Sequence, residues 1–130
     1  MTPQASAYLS AAKEAISDAN RILAIGISRQ AARLAYYALF HAAQALIFER
    51  TGKVAKTHKG VGRLFHKVAA AEPMLPRGIA GDLSAAYRFK EMADYDIDPA
   101  ISVTPQEARD VIATAHRDVE AVERLLESEQ

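Results

Sequence analysis

Arg33-Leu-Ala-Tyr-Tyr-Ala-Leu-Phe-His-Ala-Ala-Gln-Ala-Leu-Ile-Phe48 is apolar on almost every side when wound as a helix. A helix hydrophobic all round is stable only when covered, so this stretch predicts a central helix that other helices, or a second copy of the chain, must bury. It does not read as a membrane span. The apolar run is shorter than the roughly 20 residues a bilayer requires and is interrupted by His41 and Gln44. At about 100° per residue, Arg33, Tyr37, His41 and Gln44 share one polar-tipped stripe along an otherwise greasy rod.

Outward from that rod the chain reads as helices throughout. Before it, Tyr8, Ala12, Ala15, Ile16, Ala19, Ile22 and Leu23 recur at helical spacing over residues 5–25, with Thr2-Pro3 as the start and Gly26 as the stop. Ser28 is the expected cap of the second helix, which runs to about Arg50 with Gly52 beyond its end. The short connection predicts an antiparallel hairpin. After a polar loop over residues 52–58, Val61, Leu64, Phe65 and Val68 form the apolar face of a third helix, ended by Pro73 and Pro76. A fourth runs from about Arg77 to Tyr95, weakened early by Gly78 and Gly81. Residues 96–103 are expected to form a loop. Thr104-Pro105-Gln106-Glu107 then supplies a cap, a proline at the first helical position and the reciprocal acid. The fifth helix runs to about Leu126 and buries Ala108, Val111, Ile112, Ala115, Val119, Val122 and Leu126. The expected fold is all-α, an up-and-down bundle of four to five helices in a single domain over residues 1–130.

Composition narrows the functional classes. The 130 residues are half hydrophobic, enough for one core, and contain no cysteine, which excludes a disulfide framework and thiolate zinc. Lys13, Glu14 and Asp18 interrupt the first twenty residues, so no signal peptide is read and a cytoplasmic location is expected. Net charge is zero, but residues 1–93 hold 13 Lys/Arg against 6 Asp/Glu and residues 94–130 hold 3 against 10. Such asymmetry suits a phosphate-attracting surface, head-to-tail association, or simply solvated faces packed within one domain.

The basic surplus is concentrated. No acid lies between Glu49 and Glu72, where Arg50, Lys53, Lys56, Lys59, Arg63 and Lys67 occur with His58 and His66. Lys59, Arg63 and either His66 or Lys67 share the side of the third helix opposite its apolar face, an arrangement suited to phosphate oxygens or to plain solvation. In the fourth helix Arg88, Glu91 and Tyr95 lie along one stripe, with Tyr87 and Asp94 on the next. Arg88 so placed can hold a ligand phosphate or bridge to Glu91 or Asp94.

Arg33-Leu-Ala-Tyr-Tyr-Ala-Leu-Phe-His-Ala-Ala-Gln-Ala-Leu, then Lys56-Thr-His58-Lys-Gly60-Val with Phe65, then Arg88 with Ala93-Asp94-Tyr95, resembles the HEPN domain superfamily, in its branch of small stand-alone chains. The likeness covers residues 5–126 in order. It implies an all-α bundle that forms a homodimer, is often encoded beside a minimal nucleotidyltransferase, and in some branches is a metal-independent ribonuclease toxin. Those ribonucleases use an Arg-x4-6-His motif doubled across the dimer. The arginine would hold the scissile phosphate, and the histidine would move a proton to or from the ribose hydroxyl or leaving oxygen.

Two pairs compete for that role. Arg33 and His41 share the stripe of the central helix but are separated by seven residues, one too many. Arg109 and His116 satisfy the spacing, with Asp110 after the arginine, but lie beside Glu123 and Glu127 on the last helix. The ligand-binding candidates are Lys56, His58, Lys59, Arg63, Arg88, Asp94 and Tyr95. Tyr95 is also the candidate for modification by a partner enzyme, as the resemblance suggests. No metal is expected, because the histidines lack ligand-spaced partners and the alternating Asp94, Asp96 and Asp98 lack the glycine and closing glutamate of a calcium loop. No cofactor is expected either. The favoured reading is a dimeric module that binds RNA, a nucleotide or a nucleotidyltransferase; the rival is the ribonuclease.

The dimer expectation has a separate physical basis. Tyr36, Phe40 and Ile47 occupy one side of the second helix, and its other sides are also apolar. Four short neighbours are expected to leave some of that surface for a second copy.

Overall fold

The computed structural model describes residues 1–98 and 102–130. Its five helices are α1 (Pro3–Ala24), α2 (Ser28–Thr51), α3 (His58–Ala70), α4 (Ile79–Tyr95) and α5 (Pro105–Glu127), and the described residues contain no strand. The expected loop over residues 96–103 lies partly outside the described residues.

Local signals explain the boundaries. Thr2 accepts a hydrogen bond from the Ala5 amide and Pro3 opens α1. Gly26 turns the chain at φ 84° and Gly52 stops α2 at φ 72°, conformations in which a side chain would crowd the backbone. Thr57 caps α3 through the Gly60 amide, and Thr104 and Glu107 form both halves of the capping box on α5. Two starts differ from expectation. Ser28 is buried as the first residue of α2 and makes no cap bond, Ile27 holding the cap position. The fourth helix begins at Ile79, because Gly78 adopts φ 80° and forms the cap instead of the first turn.

Side-chain contacts set the directions. Thr2, before α1, donates to Glu49 at the end of α2, so these helices are antiparallel. Arg33 meets Asp94 while Tyr36 meets Tyr87, which runs α4 antiparallel to α2. Arg50 meets Glu129, which places the end of α5 beside the end of α2. The four long helices therefore alternate up and down, and α3 is the shorter piece between α2 and α4.

Helix α2 touches each of the other four helices. Its side chains from Ala35 to Ile47 are buried apart from Tyr37 and His41, which are half-exposed. Tyr36, Phe40 and Ile47 are 2%, 8% and 0% exposed within one chain, so the apolar surface expected to need a second copy is already covered. Val61 and Phe65 clamp α3 onto that core, and each large side chain so buried contributes about 1.5–3 kcal/mol. Val111 is half-buried, but the rest of the expected apolar face of α5 is buried.

Candidate nucleic-acid interface

The polar stripe of α2 survives as one connected surface. Arg33 lies over the ring of Tyr37 at 5.0 Å, and the rings of Tyr37 and His41 are 6.4 Å apart. His41 Nδ1 is 2.9 Å from Gln44 Oε1, and Gln44 Nε2 donates to the Ala55 carbonyl at 2.8 Å. Because that carbonyl can only accept, the Gln44 amide must turn its oxygen toward His41. The neutral ring then carries its proton on Nδ1 and leaves Nε2 as an acceptor.

Asp94 joins this stripe to α4. Its Oδ1 accepts from Arg33 Nε at 2.7 Å, and its Oδ2 is 2.9 Å from Lys90 Nζ. The hydrogen bond from Lys90 foremost, with Arg33, holds the Asp94 carboxyl below its ordinary range against the opposing effect of burial. Lys90 is held correspondingly above its usual value, by the Asp94 hydrogen bond first. The Lys90 ammonium also lies 5.3 Å from the centre of the Tyr95 ring and 5.8 Å from that of Tyr87. Tyr95 is 68% exposed.

Below that surface lies an aromatic layer. His58, the first residue of α3, stacks on Tyr87 at 3.6 Å with planes 4° apart, and its Nδ1 is 2.9 Å from the Tyr36 hydroxyl. Burial is the main cause that lowers the His58 pKa, and Lys90 adds to it against Glu91. Burial, then the neighbouring phenols, pushes Tyr36 above its ordinary value. A neutral imidazole accepting from an un-ionised phenol satisfies both groups. His58 therefore positions α3 against α2 and α4 instead of reaching outward.

The remaining candidates divide. Lys53, Lys56, Lys59, Arg63 and Lys67 are exposed, and among the described residues none of the five forms an ion pair. Arg50, from the same acid-free stretch, is neutralised by Glu72 at 2.5 Å and Glu129 at 2.6 Å. Arg88 does not join Asp94 or Glu91. It faces α5 across a cleft, over the Phe89 ring and 4.0 Å from Glu107. The stripe that a helical wheel draws through Arg88 and Tyr95 is thus split between two neighbours.

Arg109 and His116 line one shallow groove with Asn20, Leu23, Ile112 and Ala113. Arg109 donates to Gln106 at 3.0 Å, and His116 is 3.4 Å from Glu120. Both lie far along the chain from the Arg33 surface, on a different helix. Among the described residues no three His, Asp or Glu side chains gather to hold a metal, and no helix is long and apolar enough to cross a membrane.

Two features escaped the sequence reading. Lys90 was signalled by its position four residues before Asp94, which puts both on one helix face. Asp118 sits in the apolar stripe of α5 between Ala115 and Val122 and is 1% exposed.

Comparison with known proteins agrees with this architecture. A protein of Methanocaldococcus jannaschii bearing the name "Putative toxin" is 28% identical over 120 residues, covering 92% of this chain and 87% of that one. The UPF0332 protein of Archaeoglobus fulgidus is 32% identical over 91 residues, covering 70% of this chain and 71% of its own. The family model described as the HEPN domain matches residues 5–125, and the chain belongs to the HEPN domain family.

Proposed function

We propose that this chain is a non-catalytic or conditionally active HEPN module that works as a homodimer and binds RNA. The setting is a toxin-antitoxin-like system, in which the natural partner is a minimal nucleotidyltransferase. The toxin designation of the archaeal relative supports the setting. One observation carries the binding: Lys53, Lys56, Lys59, Arg63 and Lys67 are exposed and without a carboxylate partner among the described residues, on and just before α3. Cations already neutralised within a fold release few counterions to a polyanion; these five are available to do so.

The test is binding of a fluorescent single-stranded oligoribonucleotide across a salt series. Replacing Lys53, Lys59 and Arg63 together by glutamine should flatten the dependence of log affinity on log salt by about 2, at about 0.7 per lost contact. An unchanged slope refutes the assignment.

A second reading rests on the groove shared by Arg109 and His116, which have the spacing of the ribonuclease branches. There Arg109 would neutralise the scissile phosphate and His116 would take the ribose hydroxyl proton, two copies meeting across a dimer. The stripe Arg33, Tyr37 and His41 offers the same chemistry, with Arg33 engaged by Asp94. Cleavage of RNA by the purified chain that disappears in His116→Ala or His41→Ala establishes this reading and names the pair.

A further inference from the structure

Asp94 occupies an unusual position for an ordinary surface carboxylate. Its two oxygens are divided between cations from two helices, Arg33 of α2 at 2.7 Å and Lys90 of α4 at 2.9 Å. The three side chains are 34%, 16% and 21% exposed for Arg33, Lys90 and Asp94, so an incoming group can reach them from solvent. Around them stand faces suited to a nucleobase: Tyr37 under Arg33, and the exposed ring of Tyr95 beside Lys90. His41 lies along the same stripe, its Nδ1 2.9 Å from Gln44 Oε1.

We infer that Asp94 is a built-in phosphate mimic: it holds the Arg33–Lys90 cation pair closed, and a phosphodiester of single-stranded RNA displaces it to bind there with a base stacked on Tyr95. A carboxylate and a phosphate present the same divided pair of anionic oxygens to two donors. Held by Asp94, the pair has a net charge of +1; released, it has +2. The site therefore stays weak toward anions until a ligand supplies both a phosphate and a stacking surface. This rests on the RNA-binding reading above and adds a second, gated contact to the open basic face of α3.

Asp94→Asn removes the competing charge while keeping size and shape. One further unneutralised cation should tighten binding of a short single-stranded oligoribonucleotide about tenfold at roughly 50 mM salt and steepen the log–log salt slope by about 0.7. Tyr95→Ala should weaken binding by about tenfold with the slope unchanged, because stacking carries no charge. Circular dichroism on each variant confirms the helical fold. If Asp94→Asn is folded and binds no more tightly than the wild type, the mimic is refuted while RNA binding stands. Should Asp94→Asn unfold, Tyr95→Ala decides, and an affinity equal to wild type overturns the proposal. No binding by the wild type or any variant overturns this inference together with the RNA reading.

Discussion

Asp118 is the residue whose replacement tests the electrostatics of the bundle most directly. It is 1% exposed on α5, where its Oδ1 accepts from Arg117 Nε at 3.2 Å and its Oδ2 faces no donor. Asp82, in the first turn of α4, lies beside it and accepts from Arg117 Nη2 at 2.9 Å. Burial above all, and then the Asp82 carboxyl, push Asp118 up to about 8, with Arg117 opposing. A proton on Oδ2 supplies the missing hydrogen bond by donating to Asp82. The folded chain thus holds one proton that the unfolded chain releases near the ordinary value of 3.8.

Between those two values stability must fall as pH rises, at about 1.4 kcal/mol per pH unit, flattening once the folded pair has lost its proton. From pH 6.5 to 9 the loss sums to about 2 kcal/mol, a large part of the 5–15 kcal/mol typical of a domain. His58 acts in the opposite direction, but its lowered pKa confines its effect to pH below about 6.5. Asp118→Asn keeps the shape, accepts from Arg117 and donates to Asp82 permanently. Being neutral in both the folded and the unfolded chain, it should already be the more stable protein near pH 6.5, and its advantage should grow by about 2 kcal/mol between pH 6.5 and pH 9, or roughly 8 °C in melting temperature. Urea denaturation followed by circular dichroism at both pH values measures the difference. A gap between variant and wild type that does not widen with pH refutes the shared proton.

Two further substitutions test local claims. Thr104→Ala removes the hydroxyl that accepts from the Glu107 amide at 3.0 Å and should cost about 1 kcal/mol in chemical denaturation, with no change in RNA affinity. His58→Ala leaves the Tyr36 hydroxyl buried without its partner at 2.9 Å and removes the stack on Tyr87. It should destabilise the chain by about 1–3 kcal/mol from the orphaned phenol alone, and hydrogen exchange should rise first in α3. Equal protection of α3 in both proteins would show that His58 does not anchor that helix.

The helices were legible because each carries its own periodicity and stop signals. The apolar rod of α2 announced a centre, and the Thr104 box fixed the start of α5 to the residue. What could not be read was which neighbour each face meets. A helical wheel groups Arg88 with Tyr95, but α5 packs beside one and the α2 stripe beside the other, so Arg88 finds Glu107 while Asp94 finds Arg33. The same limit made Tyr36, Phe40 and Ile47 look like surplus apolar surface, since the reach of α3, α4 and α5 over α2 depends on tertiary packing. His58 was legible as a chemical group within a basic run, but not as the packing residue that its stack on Tyr87 makes it. Asp118 did leave a trace, as a carboxylate on an otherwise apolar stripe. Such a group signals a buried partner, without saying that the partner is Asp82.

The division of charge along the sequence follows from the same packing. The acid-rich carboxyl-terminal part is folded back against the base-rich part, so that Glu123 meets Lys13, Glu129 meets Arg50, Glu107 approaches Arg88 and Asp94 takes both Arg33 and Lys90. Many of the cations of α1, α2 and α4 are therefore neutralised locally by internal pairing. Helix α3 is the exception, because α5 does not pack against it and no acid in its own stretch can compensate. Five of the cations left over, Lys53, Lys56, Lys59, Arg63 and Lys67, therefore lie on and just before that one helix. At about 0.15 M salt, fields of exposed charges die within roughly 8 Å, so a polyanion must lie directly against these side chains to feel them.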